Sequence, residues 1–112
     1  MRSWIGACAA LLLLGACDKS CQNSCSKIYD EAECGILPGG QTSQELQRDC
    51  IDRCTAALAK TGPMGDYDPY TPRDPQDPKT ITNEKQAAAW MDCVAEKSCE
   101  DLDPSAGYCE PI

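Results

Sequence analysis

The sequence predicts a small all-α, disulfide-rich domain: a helical hairpin and a third helix joined by a proline-rich linker. Three observations carry that reading. Apolar residues recur at helical spacing in three stretches, separated by segments containing glycine and proline. Two of these stretches carry cysteines four residues apart, Cys21/Cys25 and Cys50/Cys54, so each pair occupies one helix face. The 112-residue chain has ten cysteines, no phenylalanine and an apolar content swollen by alanine, so it cannot bury a large core without staples.

The amino terminus comes first. Met1-Arg2-Ser3 holds a single positive charge, followed by thirteen residues, Trp4 to Ala16, with no charge or strongly polar group. As a helix these would span roughly 20 Å, short of the ~30 Å hydrocarbon core, which reads as an export signal rather than a membrane span. The stretch ends Leu14-Gly15-Ala16-Cys17: an aliphatic residue, two small residues, then cysteine. It resembles the lipobox of bacterial lipoprotein precursors. The resemblance implies that residues 1–16 are a cleaved signal peptide, that the Cys17 thiol receives a diacylglyceryl group, and that the new amino group is acylated, with palmitate as the label to follow. Residues 17–20 then form a lipid-anchored tether. Asp18 after the anchor cysteine leans toward retention in the inner membrane, with the outer membrane or cell surface as the alternatives.

Removing residues 1–16 from 112 leaves 96, and takes Cys8 with it. With Cys17 lipidated, eight cysteines remain, an even number, as expected of a disulfide framework in an exported chain. No metal is expected. The chain has no histidine, its signal leads to an oxidising compartment where thiols do not stay as zinc-binding thiolates, and C-x3-C-x3-C is not a usual ferredoxin spacing.

The first helix is expected from Cys21 to Cys34, capped by Gly35, with Cys21, Cys25, Ile28, Tyr29 and Ala32 on one stripe and Cys34 on the other side. The second is expected to start at Thr42, which forms a capping box with Glu45, and to end near Lys60 before Gly62-Pro63. Its stripe is Leu46, Cys50, Ile51, Cys54, Ala57 and Leu58. In an antiparallel hairpin, facing residues have a constant sum. Cys21 with Cys54, Cys25 with Cys50 and Tyr29 with Leu46 all give 75. Two disulfides follow, Cys21–Cys54 and Cys25–Cys50, within a hairpin spanning 21–61. The outer one closes a long loop and contributes about 4 kcal/mol in the loop-entropy picture.

The paired C-x3-C motifs resemble those of disulfide-stapled helical hairpins: plant defence hairpins that inhibit proteases or act as toxins, and mitochondrial intermembrane-space chaperones. The likeness covers Cys21 to Cys54. The 24-residue spacer between the motifs, interrupted by Cys34, is longer than in the chaperones.

Residues 62–82 carry Pro63, Pro69, Pro72, Pro75 and Pro78, which favour extended, polyproline-like chain. This stretch is expected to be a semi-rigid linker. The alternative is a recognition strip presenting Tyr67 and Tyr70. Asp66-x-Asp68 lacks the glycine and bidentate glutamate of a calcium loop. The third helix is expected from Asn83 to Ser98, within a final segment of 83–112. Its apolar face is Ala87, Trp90, Met91, Val94 and Ala95, and Trp90 is expected to fill the groove beside the hairpin. For the last four cysteines the expected pairs are Cys34–Cys93 and Cys99–Cys109. The competing set is Cys34–Cys99 with Cys93–Cys109.

Loss of Arg2 leaves nine basic against eighteen acidic residues, a net charge of −9. That argues against nucleic acid as a partner. Catalysis is not expected: there is no histidine base, no C-x2-C redox pair, and Glu96 and Glu100 read as a solvated helix face. The expected function is that of a non-enzymatic, lipid-anchored envelope protein whose rigid domain contacts another protein, without a cofactor. The alternative is an exported inhibitor or toxin of the stapled-hairpin kind, presenting the loop Gly35-Ile36-Leu37-Pro38-Gly39-Gly40.

Overall fold

The computed structural model describes residues 19–111, so Cys8 and Cys17 lie outside the described residues. Four helices appear in order: α1 (Cys21–Tyr29), α2 (Ser43–Leu58), α3 (Glu84–Glu96) and α4 (Cys99–Leu102). Among the described residues there is no strand, so the class is all-α. The three longer helices pack against one another pairwise.

Each helix begins on a side chain that accepts an otherwise orphaned backbone N–H. Ser20 caps α1 through Asn23, Asn83 caps α3 through Lys85 and Gln86, and Ser98 caps α4 through Asp101. At α2 both arms of the expected capping box form. Thr42 Oγ1 accepts from the Glu45 N–H, and the Glu45 carboxylate accepts from the Thr42 N–H. Hydrogen bonding from Thr42, first from its backbone N–H, lowers the Glu45 pKa from its ordinary value.

The first helix is shorter than its pattern suggested. It ends at Tyr29, because Asp30 adopts extended backbone (φ −70°, ψ 129°) and its carboxylate accepts the Ala32 N–H at 2.9 Å. An aspartate that bonds the backbone two residues on favours a turn over continued helix. The chain then folds back. Cys34 donates to the Lys27 carbonyl at 3.0 Å and Ile36 to the Ile28 carbonyl at 2.8 Å, which satisfies the end of α1. Gly35 closes this turn with φ +58°, so it serves the loop rather than capping the helix.

The third helix also stops early. Lys97 leaves helical geometry (φ −90°, ψ 151°), and the one-turn α4 starts anew after Ser98. Glu96 and Glu100 therefore do not share a helix face. Glu96 instead accepts from the Tyr70 hydroxyl at 3.0 Å.

The core lies where α1, α2 and α3 meet. Its fully buried side chains include Ile28, Trp90, Val94 and Leu102, packed with disulfide sulfurs. Tyr29 and Leu46, the apolar pair of the hairpin register, are both buried in it. Trp90 fills the expected place. Its indole N–H also donates to the Cys109 carbonyl at 3.0 Å, so its one polar atom is satisfied.

The proline-rich stretch is not extended throughout. It makes two turns with aspartate first and proline second, Asp68-Pro69-Tyr70-Thr71 and Asp74-Pro75-Gln76-Asp77. In each, the fourth residue donates to the aspartate carbonyl, at 3.2 and 3.0 Å, and the aspartate side chain accepts the N–H two residues on. The turns lay the chain against the carboxy-terminal tail. Cys109 donates to the Pro69 carbonyl and Arg73 to the Gly107 carbonyl, both at 2.8 Å.

Candidate functional site

The eight cysteines of the described residues form four disulfides, and none is free. Cys21–Cys54 and Cys25–Cys50 join α1 to α2, with Cα separations of 5.7 and 5.8 Å. Both bridges lie on the apolar seam, and Cys25 and Cys54 are wholly buried. The packing of this hairpin is the part of the stapled-hairpin likeness that the structure contains.

The other pairing expected from the sequence is overturned. Cys34 bonds to Cys99 and Cys93 to Cys109, in place of Cys34–Cys93 and Cys99–Cys109. The cause is local. The direction expected for Cys34 is a count of 100° per residue along a helix reaching it, and Cys99 is expected at the end of the third helix, but the helices stop earlier, at Tyr29 and Glu96. Once the chain turns at Asp30 and at Lys97, that count no longer says where either side chain points. Cys93, still within α3, faces the core and meets the returning tail.

Cys109 is held from three sides. Its N–H bonds to Pro69, its carbonyl accepts from Trp90, and its sulfur bonds to Cys93. These contacts keep it at φ +58°, a left-handed conformation that a non-glycine residue adopts at a cost of about 1–2 kcal/mol. Tyr67 joins the same assembly. Its ring is 5% exposed and its hydroxyl donates to the Glu110 carbonyl. Burial, and then the negative charges of Glu110 and Asp68, push this phenol well above its ordinary pKa.

Lys27 is the residue the sequence pattern did not single out. From α1 its ammonium reaches across to the end of α3 and donates to the carbonyls of Val94 (2.6 Å), Ala95 (3.3 Å) and Lys97 (2.7 Å). The last turn of α3 has no basic residue of its own. A cation brought from another helix therefore satisfies its orphan carbonyls and offsets the negative end of the dipole. Lys97, freed of that task, lies over two rings, 4.5 Å from the Tyr108 centroid and 5.8 Å from that of Tyr70.

The surfaces proposed from sequence are spread apart. At the hairpin tip Ile36 is half-buried against the core and Leu37 is 39% exposed. In the proline-rich stretch Tyr67 is inside and only Tyr70 is exposed, so the two do not form a common tyrosine strip. Asp66, Asp68 and Asp77 border a cavity of about 210 Å³ with Lys79 and Glu110. Lys79 pairs there with Asp77 at 3.0 Å and Asp66 at 3.6 Å, and these carboxylates raise its pKa. No cluster of three or more metal-binding side chains occurs among the described residues. No helix among them is long and apolar enough to cross a membrane.

The first described residues are already tied into the domain. Lys19 pairs with Asp92 of α3 at 3.2 Å, and Ser20 already caps α1. Both partners of that ion pair are about half exposed, so its contribution is small, roughly 0–1 kcal/mol. Cys17 itself lies outside the described residues, two positions upstream of Lys19.

Comparisons of the chain with protein-family models, with curated proteins and with solved structures find no match. The functional reading therefore rests on the chain's own residues. Its four disulfides point to an oxidising, extracytoplasmic location.

Proposed function

We propose that this protein is a bacterial envelope lipoprotein, anchored through lipid on Cys17, whose disulfide-stapled domain makes protein–protein contact at the membrane surface without catalysing a reaction. One observation carries the anchor. All eight cysteines of the described domain are consumed by one another, so the domain offers Cys17 no disulfide partner. A thiol left over after Leu14-Gly15-Ala16 is what diacylglyceryl transfer requires.

The short tether supports the same reading. Only Asp18 separates Cys17 from Lys19, a reach of roughly 7 Å at full extension, so an acylated Cys17 holds the domain against the bilayer. With nine basic against eighteen acidic residues after processing, the domain gains no attraction from anionic head groups. The acyl chains must supply the binding, and more than one is needed for stable attachment. Asp18 favours the inner membrane.

Palmitate labelling of cells making the natural protein or Cys17→Ala tests the anchor. Label in the natural protein, its loss in the variant, and an uncleaved precursor are expected; equal labelling of both overturns it. For the contact role, a lysine-reactive cross-linker applied to intact envelopes is expected to yield a discrete complex. That complex should vanish when the disulfides are reduced beforehand. A complex that persists with the reduced, unfolded chain would contradict a role for the stapled domain.

A further inference from the structure

Three of the four bridges are closed off from solvent. Their six cysteines are between 0% and 9% exposed. Cys34–Cys99 differs: Cys34 is half-buried and Cys99 is exposed. A thiol must reach a disulfide sulfur to exchange with it, so access sets which bridge reacts first. This bridge joins the hairpin loop to α4 across a sequence separation of 65.

The surroundings of Cys34 and Cys99 are held without the bond. On one side, the Cys34 and Ile36 N–H groups are tied to the end of α1, and Gly35 donates to Asp30. On the other, α4 keeps its Ser98 cap and buries Leu102 completely, and Cys93–Cys109 fastens the tail that follows. Lys27 bonds α1 to the end of α3 just before Cys99. Cutting the bridge therefore leaves the two thiols near one another, with Cα atoms that sat 5.2 Å apart, in a domain with three bridges remaining. Neighbouring thiols on a preserved framework re-form their bond readily, because their effective concentration stays high.

Charge adds a selection. Glu33 precedes Cys34 and Glu100 follows Cys99, with Glu31 and Asp101 close in sequence; Glu31, Glu33 and Glu100 are exposed and Asp101 half-buried. The cations nearby, Lys27 and Lys97, are engaged with backbone carbonyls and with tyrosine rings. Four carboxylates against two ammonium groups leave a negative surface around the bridge. It repels most strongly a thiolate that carries a further negative charge, and favours a reductant whose remaining groups are neutral or cationic.

We infer that Cys34–Cys99 is a reversible thiol–disulfide site, opened ahead of the other three bridges by a neutral or cationic dithiol and screened against anionic thiols. The exchange balances without another reactant. A thiolate of the dithiol attacks Cys99 Sγ, forms a mixed disulfide, and expels Cys34 as a thiolate that takes a proton from water. The second thiol, deprotonated, attacks the mixed disulfide, releases Cys99 as a thiolate that is protonated in turn, and leaves the reductant as its own disulfide. Two electrons pass from the dithiol to the protein.

The test is timed reduction of the mature, lipidated, oxidised protein with three small monothiols of similar size: cysteamine (cationic), 2-mercaptoethanol (neutral) and mercaptoacetate (anionic). Samples are alkylated and mapped by mass spectrometry, and each rate is divided by that for an uncharged small-molecule disulfide. Alkylation of Cys34 and Cys99 is expected about tenfold ahead of any other bridged cysteine, with the helical circular dichroism retained. The normalised cysteamine rate should exceed that of mercaptoacetate several-fold at low salt, and the difference should collapse in ~1 M salt. Earlier or simultaneous opening of another bridge, or loss of helix with the first alkylation, overturns the site; a normalised ratio near one overturns the charge screen. The double variant Cys34→Ser/Cys99→Ser keeps the test sharp. It should fold with three bridges and lose the fast phase, whereas a fast phase that survives in it refutes the inference.

Discussion

Cys21–Cys54 and Cys25–Cys50 join two helices along one straight seam, whereas Cys34–Cys99 and Cys93–Cys109 fasten turns and tail to the ends and flank of the bundle. In the hairpin, position follows from periodicity: each cysteine is four residues from the next and the partner helix runs antiparallel. In the other half, position follows from single contacts made once. Lys27 on the carbonyls of α3, Tyr67 on Glu110, Trp90 on Cys109 and Gly107 against Arg73 each fix one stretch of chain. A regular seam shares its load over neighbouring rungs, while a chain of single contacts fails at whichever one is removed.

That difference sets the expected sizes of effect. Replacing both Cys93 and Cys109 by alanine should cost the most, about 3 kcal/mol from loop closure with the lost packing added, since it removes a wholly buried bridge and frees the tail that Trp90 and Pro69 hold. Replacing Cys25 and Cys50 should cost less, because Cys21–Cys54 still holds the seam. Denaturant unfolding of the two double variants measures the contrast, and equal losses would erase the distinction between the halves.

Lys27→Met comes next. It keeps much of the stem's volume but leaves three carbonyls at the end of α3 without their charged donor, so about 2 kcal/mol of stability should go. The loss should appear in hydrogen exchange first at the last turn of α3 and at α4. Gly107→Ala is smaller, about 1–2 kcal/mol. Gly107 sits at φ +79°, and an added Cβ would stand 2.7 Å from Arg73 Cβ and 2.9 Å from its backbone nitrogen. A shift of the thermal midpoint, with α1 and α2 amides still protected, is the expected reading.

The smallest effect is alkaline. Tyr29 and Tyr67 have phenol pKa values raised above 10.0, in both cases first by burial. Burial and the Glu96 carboxylate push Tyr70 up to about 12. A raised folded-state value means the fold favours the protonated phenol. That contribution is complete below pH 10 and is lost as pH climbs through the folded values. Absorbance at 295 nm should therefore show tyrosine ionisation delayed beyond pH 10 in the native protein and shifted back in denaturant. Coincident titrations in both states would contradict the packing around these phenols.

The sequence made the hairpin legible because a helix converts residue number into direction. Thr42 with Glu45, the two C-x3-C pairs and the constant sum of 75 all speak the same periodic language. Legibility stops where the period stops. Nothing in the apolar pattern marks Asp30 or Lys97 as breaks, so Cys34 is given a direction along a helix that does not reach it and Cys99 a place at the end of a helix that stops sooner. The turns of the proline-rich stretch did carry a signal, aspartate before proline at Asp68-Pro69 and Asp74-Pro75, which proline content alone reads as extended chain. Lys27 carried none, since a lysine on a helix looks the same in sequence whether it faces water or another helix's carbonyls.

Intact mass and non-reducing peptide mapping of the protein purified from membranes test the central claim most directly. The expected result is an amino-terminal Cys17 bearing diacylglyceryl and acyl groups, followed by a chain with all eight remaining cysteines in the four bridges described. A Cys17 that is unmodified, or that is found in a disulfide, would contradict it.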